Sequence, residues 1–384
     1  MFFIQAAVFG SWLPRIADVK TTLGLSEGVL GLVLLALPAG TFTALSIASP
    51  IIKHYPTARV LIVALAAWVM AFALAAVSGS AATLAIALAC CGIVMGVLEI
   101  ASNVEADTIE RQIEKRIMSR CHGFWSLGAM FGALLGGPVF GQHGISVLNQ
   151  FLLMAPFVII ASVFATRLLA RVSLTANTVI PASTITPDVE DEVALKTSSK
   201  QRLQLTQPVF FMCLIPLGIM AIEGAIMDWS AVFMREQLLT DARVAGYTFA
   251  VFSAVMAVMR LSGDRLAEQF GDVRVVRLSG VAAALGMVLF ATAVNVPMAL
   301  LGAALAGVGV AIVYPLAMSA VAKISDEHRE DNVAYLSIAA FSVMMIAPPL
   351  VGGLAHWFSL RVGLLVLVPG AILTAVLAHR LKVR

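Results

Sequence analysis

The sequence carries very little charge for its length. Of its 384 residues only 12% are Asp, Glu, Lys or Arg, whereas 60% are hydrophobic, and the mean hydropathy is +0.96. A soluble domain has roughly 25% charged residues, so this chain cannot cover itself with a polar surface. Its solvent must therefore be mostly lipid, and the composition predicts an all-α membrane protein.

Several motifs that would indicate other functions are also missing. The sequence has no Cys-x-x-Cys pair, no glycine-rich phosphate loop, no His-Glu-x-x-His and no cluster of a nucleophile with a base. We therefore expect no enzyme, no cofactor, no metal site and no disulfide framework. The net charge of +3 is not gathered into a basic stripe, so no nucleic-acid partner is expected. The four cysteines lie in or beside apolar runs: Cys90, Cys91, Cys121 and Cys213.

What the sequence has in abundance is long apolar stretches. Because about 20 residues cross a hydrocarbon core, these stretches predict twelve transmembrane helices in two pseudo-symmetric six-helix bundles. The bundles are residues 1–170 and 207–384, and the polar, acidic segment 171–206 is a cytoplasmic linker. Residues 29–60 align weakly with 244–275, which supports two related halves. The predicted spans are 1–16, 26–52, 58–78, 81–106, 119–141, 147–170, 207–234, 244–262, 275–294, 298–324, 332–354 and 361–379.

The positive charges predict the orientation. If the first helix enters from the cytoplasm, twenty of the 25 Lys and Arg residues lie on the cytoplasmic side and five lie opposite. This is a strong positive-inside bias. It predicts a multi-pass protein of the inner (plasma) membrane with both termini in the cytoplasm. The five opposite residues are Arg15, Lys20, Arg235, Arg243 and Arg361.

Three acids fall well inside predicted spans. An acid in a bilayer is costly, so each is a candidate functional residue. Glu99 and Asn103 are one turn apart on helix 4, where a carboxyl and an amide on one inward face would hold a polar solute and a proton. The alternative is a structural pair that bonds a neighbouring helix. Glu223 and Asp228 on helix 7 are about 140° apart around the axis, so we do not expect them to line one spot. Asp228 has an interfacial role beside Trp229 as its alternative.

Two further groups are weaker candidates. His122 and Trp125 begin helix 5, where a histidine would pass protons towards Glu99 or simply anchor the helix end. Tyr314-Pro315 breaks helix 10, frees a backbone carbonyl and permits a bend, and the phenol would bind solute or pack in the core. Gly128, Gly132 and Gly136 form a small-residue stripe that lets helices approach closely.

The segment Arg260 to Gly271 resembles the inter-helix signature of the major facilitator superfamily, G-x-x-x-D-R-x-G-R-R, in its second-half form. The resemblance implies a cytoplasmic gate at Arg260, Gly263, Asp264 and Arg265, and the spacing of Arg260 and Asp264 allows them to pair. The equivalent first-half stretch at residues 49–56 has lost the acid and the glycine.

Within this superfamily, Leu98-Glu99-Ile100-Ala101-Ser102-Asn103 looks like the L-E-T-A-A-N motif of the fucose–proton symporters. Their glutamate serves sugar and proton coupling, and Glu99 matches it. The symporters' acid in helix 1 is replaced here by Gly10. The chain is more similar to an uncharacterised bacterial inner-membrane branch, at 223–230, 307–315, 348–352 and 359–361.

These features together predict a secondary active transporter, most simply a monomer, that moves a small solute by alternating access. Our first hypothesis is proton-coupled symport of a sugar-like polar solute. The alternative is a proton-driven exporter of drugs or metabolites, for which the 17 methionines would form an adaptable apolar site. A third class, a non-transporting membrane sensor or enzyme, has no appended domain or catalytic cluster to support it.

Overall fold

A computed structural model describes residues 1–113, 117–177, 206–324 and 328–381. These residues form helices joined by short turns, and no strand occurs among them. Eleven helical segments are long and apolar enough to cross a membrane. The segment before them, which begins at Phe2, is also helical but interrupted. The all-α prediction with twelve crossing segments in two bundles is confirmed.

The first bundle contains six segments, each of which is labelled here as one helix even where its geometry changes. They are α1 (Phe2–Trp12, Leu13–Arg15 and Ile16–Leu23), α2 (Glu27–Leu34 and Ala36–His54), α3 (Thr57–Ala76), α4 (Ala81–Ile113), α5 (Met118–Leu134 and the π-helical Leu135–Gly141) and α6 (Val147–Asn177). Both α4 and α6 run past their predicted ends at residues 106 and 170. The helical backbone therefore enters the predicted linker, whose residues 178–205 lie outside the described residues.

The second bundle contains the other six. They are α7 (Gln207–Glu236), α8 (Ala242–Phe270), α9 (Asp272–Ala291), α10 (Val296–Val310 and Val313–Val321), α11 (Arg329–Trp357) and α12 (Leu360–Leu365, Val368–Leu377 and Ala378–Leu381). Side-chain caps begin several helices. The carboxylate of Asp241 accepts from the Val244 amide at 2.9 Å, and Asn295 Oδ1 accepts from the Met298 amide at 3.0 Å. Such caps satisfy amides that have no partner within the helix.

The glycine stripe of α5 packs directly on the backbone of α1. A Cβ atom at Gly128, Gly132 or Gly136 would overlap the carbonyl oxygen of Phe3, Ala7 or Ser11, respectively. Only a residue without a side chain permits this approach. The close helix contact predicted from the stripe is therefore present, and it joins α1 to α5.

The two bundles meet most closely on one side of the molecule. We call the side that holds Met1 the near side and the opposite one the far side. On the far side, a Cβ atom at Gly31 of α2 would lie 2.6 Å from the Pro348 carbonyl oxygen of α11, and one at Gly137 of α5 would lie 2.7 Å from Gly246 Cα of α8. Backbones in contact leave no passage there, so the space between the bundles is closed on the far side.

Candidate functional site

A cavity of about 300 Å³ lies between the two bundles. Residues from α1, α2, α3, α4 and α5 form one wall, and residues from α7, α8, α10 and α11 form the other. The wall is mainly aromatic and aliphatic, with four charged residues. These are Glu99, Glu223, Asp228 and Arg260. Every one of the three acids singled out from the sequence therefore faces one space.

Arg260 is the centre of the polar contacts in this cavity. Its Nη2 donates to Glu223 Oε1 at 3.1 Å, its Nη1 to Ser126 Oγ at 3.1 Å and its Nε to the Ala311 carbonyl oxygen at 3.4 Å. The pairing with Asp264 expected from their spacing is thus not formed, because the guanidinium turns inward to a buried carboxylate. Asp264 and Arg265 are exposed, and Gly263 packs against Ile312.

The carbonyl of Ala311 is available to Arg260 because of a proline. In a regular helix this oxygen would accept from the amide of residue 315, and Pro315 has no amide hydrogen. The α-helix is accordingly interrupted between Val310 and Val313. The break predicted at Tyr314-Pro315 is confirmed, and the carbonyl that it frees binds Arg260.

Glu99 and Asp228 differ from Glu223 in their surroundings. Neither carboxylate has a hydrogen bond or ion pair to another described residue, yet both line the cavity. Glu99 comes from the first bundle and Asp228 from the second. The expectation that Glu223 and Asp228 would not line one spot is wrong, because the cavity is wide enough to contact α7 from Met220 to Asp228.

The remaining predicted residues divide into two groups. His122, Trp125 and Tyr314 line the cavity, and the His122 ring packs edge-on against Phe2 with centroids 5.5 Å apart. Asn103 is not among the lining residues, and its Oδ1 is buried without a hydrogen-bond partner among the described residues. One turn beyond Glu99, the helix has advanced about 6 Å and rotated about 40°, which takes the amide out of the cavity.

Sequence reasoning missed much of the wall. Gln5 is 7% exposed, lines the cavity, and has an Oε1 atom without a hydrogen-bond partner in the described part of the chain. A lone glutamine in an apolar helix is a signal that would have found it. The aromatic and methionine residues carry no such signal in a chain with 20 Phe and 17 Met. They are Phe2, Phe9, Trp12, Phe42, Trp68, Met95, Met220, Met227, Phe341, Met344 and Met345.

A network of ion pairs joins the two bundles on the far side. Asp18 of α1 accepts from Arg15 at 2.6 Å and from Arg235 of α7 at 3.0 Å. Lys20 donates to Glu27 at 3.0 Å and to Glu236 of α7. Burial alone would lower the pKa of Lys20, but the hydrogen bonds and negative charges of Glu236 and Glu27 outweigh it and raise this pKa. The far-side closure is thus both steric and ionic.

The sequence and the fold match those of known transporters. The family model of the Major Facilitator Superfamily matches residues 1–260 and 224–384, so the chain belongs to this family. It is 28% identical over 384 residues to the uncharacterized transporter y4wD of Sinorhizobium fredii, covering 99% of this chain and 96% of that protein.

Two further comparisons agree with this assignment. An uncharacterized MFS-type transporter of Yersinia pestis is 26% identical, with 94% of this chain and 88% of that protein covered. Among solved structures, the nucleoside transporter NupG has a similar fold, with a TM-score of 0.68, 14% identity and coverage of 100% and 98% of the two chains. This protein is therefore a membrane transporter of the major facilitator type.

Proposed function

We propose that the chain is a proton-coupled secondary transporter that moves a small solute across the bacterial inner membrane by alternating access. The observation that carries this proposal is the pair of carboxylates Glu99 and Asp228, which line a cavity between the two bundles and have no partner among the described residues. An isolated carboxylate away from water is costly. A proton or a solute relieves that cost, so both are expected to bind at these groups.

The geometry supports one stage of such a cycle. The far side is closed by the Gly31–Pro348 contact and by the Asp18–Arg235 ion pair. The lining residues of the cavity extend from Trp12 to Phe2 along α1, towards the near side. The bundles would expose the cavity to the far side by rocking about it, which requires these far-side contacts to separate.

In the proposed orientation the near side faces the cytoplasm, as do both termini and the linker 171–206. The chain would work as a monomer with the lipid bilayer around it. Asp264 and Arg265, which are exposed at the near side, would form the cytoplasmic gate with Gly263 when the near side closes. His122 would carry protons between the near side and Glu99, and Tyr314 would contact the solute.

The direction of transport has two candidates. The sequence predicts symport of a sugar-like solute, based on Glu99 beside Asn103. The position of Asn103 outside the cavity lining removes one polar group from that model. The alternative, proton-driven export, is favoured by the apolar, methionine-rich wall, since methionine side chains adapt to varied apolar solutes.

Proteoliposomes that contain the full chain and an internal pH indicator test the proposal. We expect at least one solute from a panel of sugars, nucleosides and amines to change the internal pH with wild-type protein. The double variant Glu99→Gln with Asp228→Asn should lose this response, whereas Glu105→Gln, on the same helix but outside the cavity lining, should retain it. Solute uptake without any pH change in the wild type would contradict proton coupling.

A further inference from the structure

The cavity between the bundles has a distinct chemical character, which narrows the class of solute. We infer that it takes an amphipathic organic cation, a positively charged nitrogen attached to an aromatic or branched apolar body. This inference rests on the proposed transport function and specifies its substrate. It departs from the sugar-like solute that the sequence predicts.

The first argument is the balance of charge. The cavity is lined by three acids and by one arginine. The arginine is already neutralised, because Arg260 pairs with Glu223 at 3.1 Å. Glu99 and Asp228 remain without a cationic partner among the described residues. When these two carboxyls lose their protons, the cavity presents uncompensated negative charge, and a cation is the ligand that compensates it.

The second argument concerns hydrogen bonds. Besides the two carboxylates, the cavity contains the Gln5 side chain, whose Oε1 is a buried acceptor with no partner in the described residues. Several donors of the wall are already engaged. Arg260 bonds three oxygens, and the Thr41 hydroxyl donates to backbone carbonyls of its own helix and of α4. These two donors are thus engaged, whereas the carboxylates of Glu99 and Asp228 have no partner among the described residues and can accept from an ammonium group.

The third argument is the aromatic wall. Phe9 lies between Trp68 and Trp125, with ring centroids 6.3 Å apart in each case. The Trp68 indole N–H donates to the Gln5 backbone carbonyl at 3.2 Å, and Phe9, Trp68 and Trp125 all line the cavity. Aromatic faces attract cations, tryptophan most strongly, and they pack equally well against an apolar body.

The same wall disfavours a sugar. A hexose brings several hydroxyl groups, and each needs a partner when it leaves water. Most of the residues that line the cavity are aromatic, aliphatic or methionine. They would leave these hydroxyls unsatisfied, whereas the flexible methionine side chains adapt to an apolar body of variable shape.

Binding to the purified full chain in detergent tests this inference. The probe is N,N-dimethylbenzylammonium, a cation whose N–H can donate to these two carboxylates. It is compared with N,N-dimethylbenzamide, a neutral molecule of similar size, with the anion phenylacetate and with the sugar fucose. We expect the cation to bind about tenfold more tightly than the neutral amide, and phenylacetate and fucose to bind more weakly still. Equal or tighter binding of the amide, the anion or the sugar would overturn the inference.

Variants assign the binding to the named groups. Glu99→Gln and Asp228→Asn should each weaken binding of the cation about tenfold and leave binding of the amide within about twofold, which also shows that the cavity is still folded. Trp125→Leu should weaken binding of the cation more than Trp125→Phe does, because phenylalanine keeps an aromatic ring. Glu105→Gln is the control and should bind the cation as the wild type does. If Glu99→Gln or Asp228→Asn weakens binding of the amide and of the cation to the same degree, the negative charge of these groups does not select the cation.

Flux measurements separate this inference from the transport proposal. If fucose changes the internal pH of the proteoliposomes and the cation does not, the solute is not an organic cation, although the chain is still a proton-coupled transporter. Tight cation binding without any movement of the cation across the membrane would support the site and overturn the transport function instead.

Discussion

Arg260 and Glu223 form a 3.1 Å ion pair within the second bundle, and the same guanidinium reaches Ser126 of the first bundle. The pair therefore links the charge of the cavity to the contact between the bundles. Because Glu223 is 7% exposed, neither charge is well solvated, and each depends on the other.

Breaking this pair should be costly. In Glu223→Gln the Arg260 charge loses its counter-charge, and we expect a loss of roughly 3–5 kcal/mol in stability. The double variant Glu223→Gln with Arg260→Gln should recover part of that loss, since no isolated charge remains. Thermal unfolding in detergent measures both. Asp264→Asn is the matched control: a comparable loss there would mean that Arg260 pairs with Asp264 after all.

The unpaired acids should behave in the opposite way. Glu99→Gln and Asp228→Asn replace carboxylates that have no partner in the described part of the chain by neutral amides of the same shape, so stability should stay constant or rise by about 1 kcal/mol. Proton-coupled flux should nevertheless disappear. Thermal unfolding midpoints measure the effect on stability, and proteoliposome assays measure the effect on proton-coupled flux. A marked destabilisation would reveal a structural partner for these groups and remove them from the transport mechanism.

The glycine contact on the far side should control the conformational equilibrium. In Gly31→Ala the new methyl group would lie 2.6 Å from the Pro348 carbonyl oxygen, so the far-side-closed state is disfavoured by about 1 kcal/mol, roughly a fivefold change in population. The near-side cavity should then be less accessible. The rate at which a maleimide labels a cysteine introduced by Phe42→Cys reports this accessibility.

Gly353→Ala is the control for that experiment, because a Cβ atom at Gly353 meets nothing within 4 Å. It should label at the wild-type rate. If Gly31→Ala also labels at that rate but unfolds at a lower temperature, the contact stabilises the fold without acting as a gate.

The ion pairs on the far side should also favour the closed state. Asp18→Asn removes the negative charge that pairs with Arg235 and should make the far side open more readily, seen as faster solute exchange from that side. Arg243→Gln, whose partner Asp241 belongs to the same bundle at 3.8 Å, should have little effect. Similar changes in both variants would indicate a general effect of surface charge.

The pH dependence of this network follows from Lys20. Its pKa is raised in the folded protein, so the closed state gains its stabilisation fully below the ordinary lysine pKa of about 10.4. This stabilisation is lost as the pH rises through the raised pKa that Lys20 has in the folded protein. Far-side opening in wild type should thus stay constant from neutral pH to about pH 10 and increase above it. Lys20→Met should abolish this alkaline step.

Sequence analysis identified those residues of the site that are unusual in an apolar, helical chain. Glu99, Glu223 and Asp228 stand out because acids are rare in an apolar chain, and Pro315 stands out because it cannot continue a hydrogen-bonded helix. The partner of Arg260 could not be found this way. The sequence predicted Asp264 as this partner because it lies four residues after Arg260 on the same helix. The observed partner, Glu223, lies on α7, so only the packing of α7 against α8 reveals it.

The aromatic wall was hidden for a different reason. Trp68 and Phe9 resemble ordinary core residues, because the sequence gives no sign of which face of a lipid-embedded helix points inward. Asn103 shows the converse error. Its spacing from Glu99 is correct for one helix face, but a rotation of about 40° was enough to place it elsewhere.

The packing of Gly128, Gly132 and Gly136 on the backbone of α1 has a consequence for the aromatic wall of the cavity. Two helices in such contact cannot rotate or shift separately without a steric clash, so α1 and α5 are expected to move as one rigid unit. Phe9 of α1 and Trp125 of α5, whose ring centroids are 6.3 Å apart, should therefore keep their spacing through the proposed transport cycle. This part of the cavity wall is thus already assembled before a solute binds, and the entropic cost of ordering the site falls mainly on the wall formed by the second bundle.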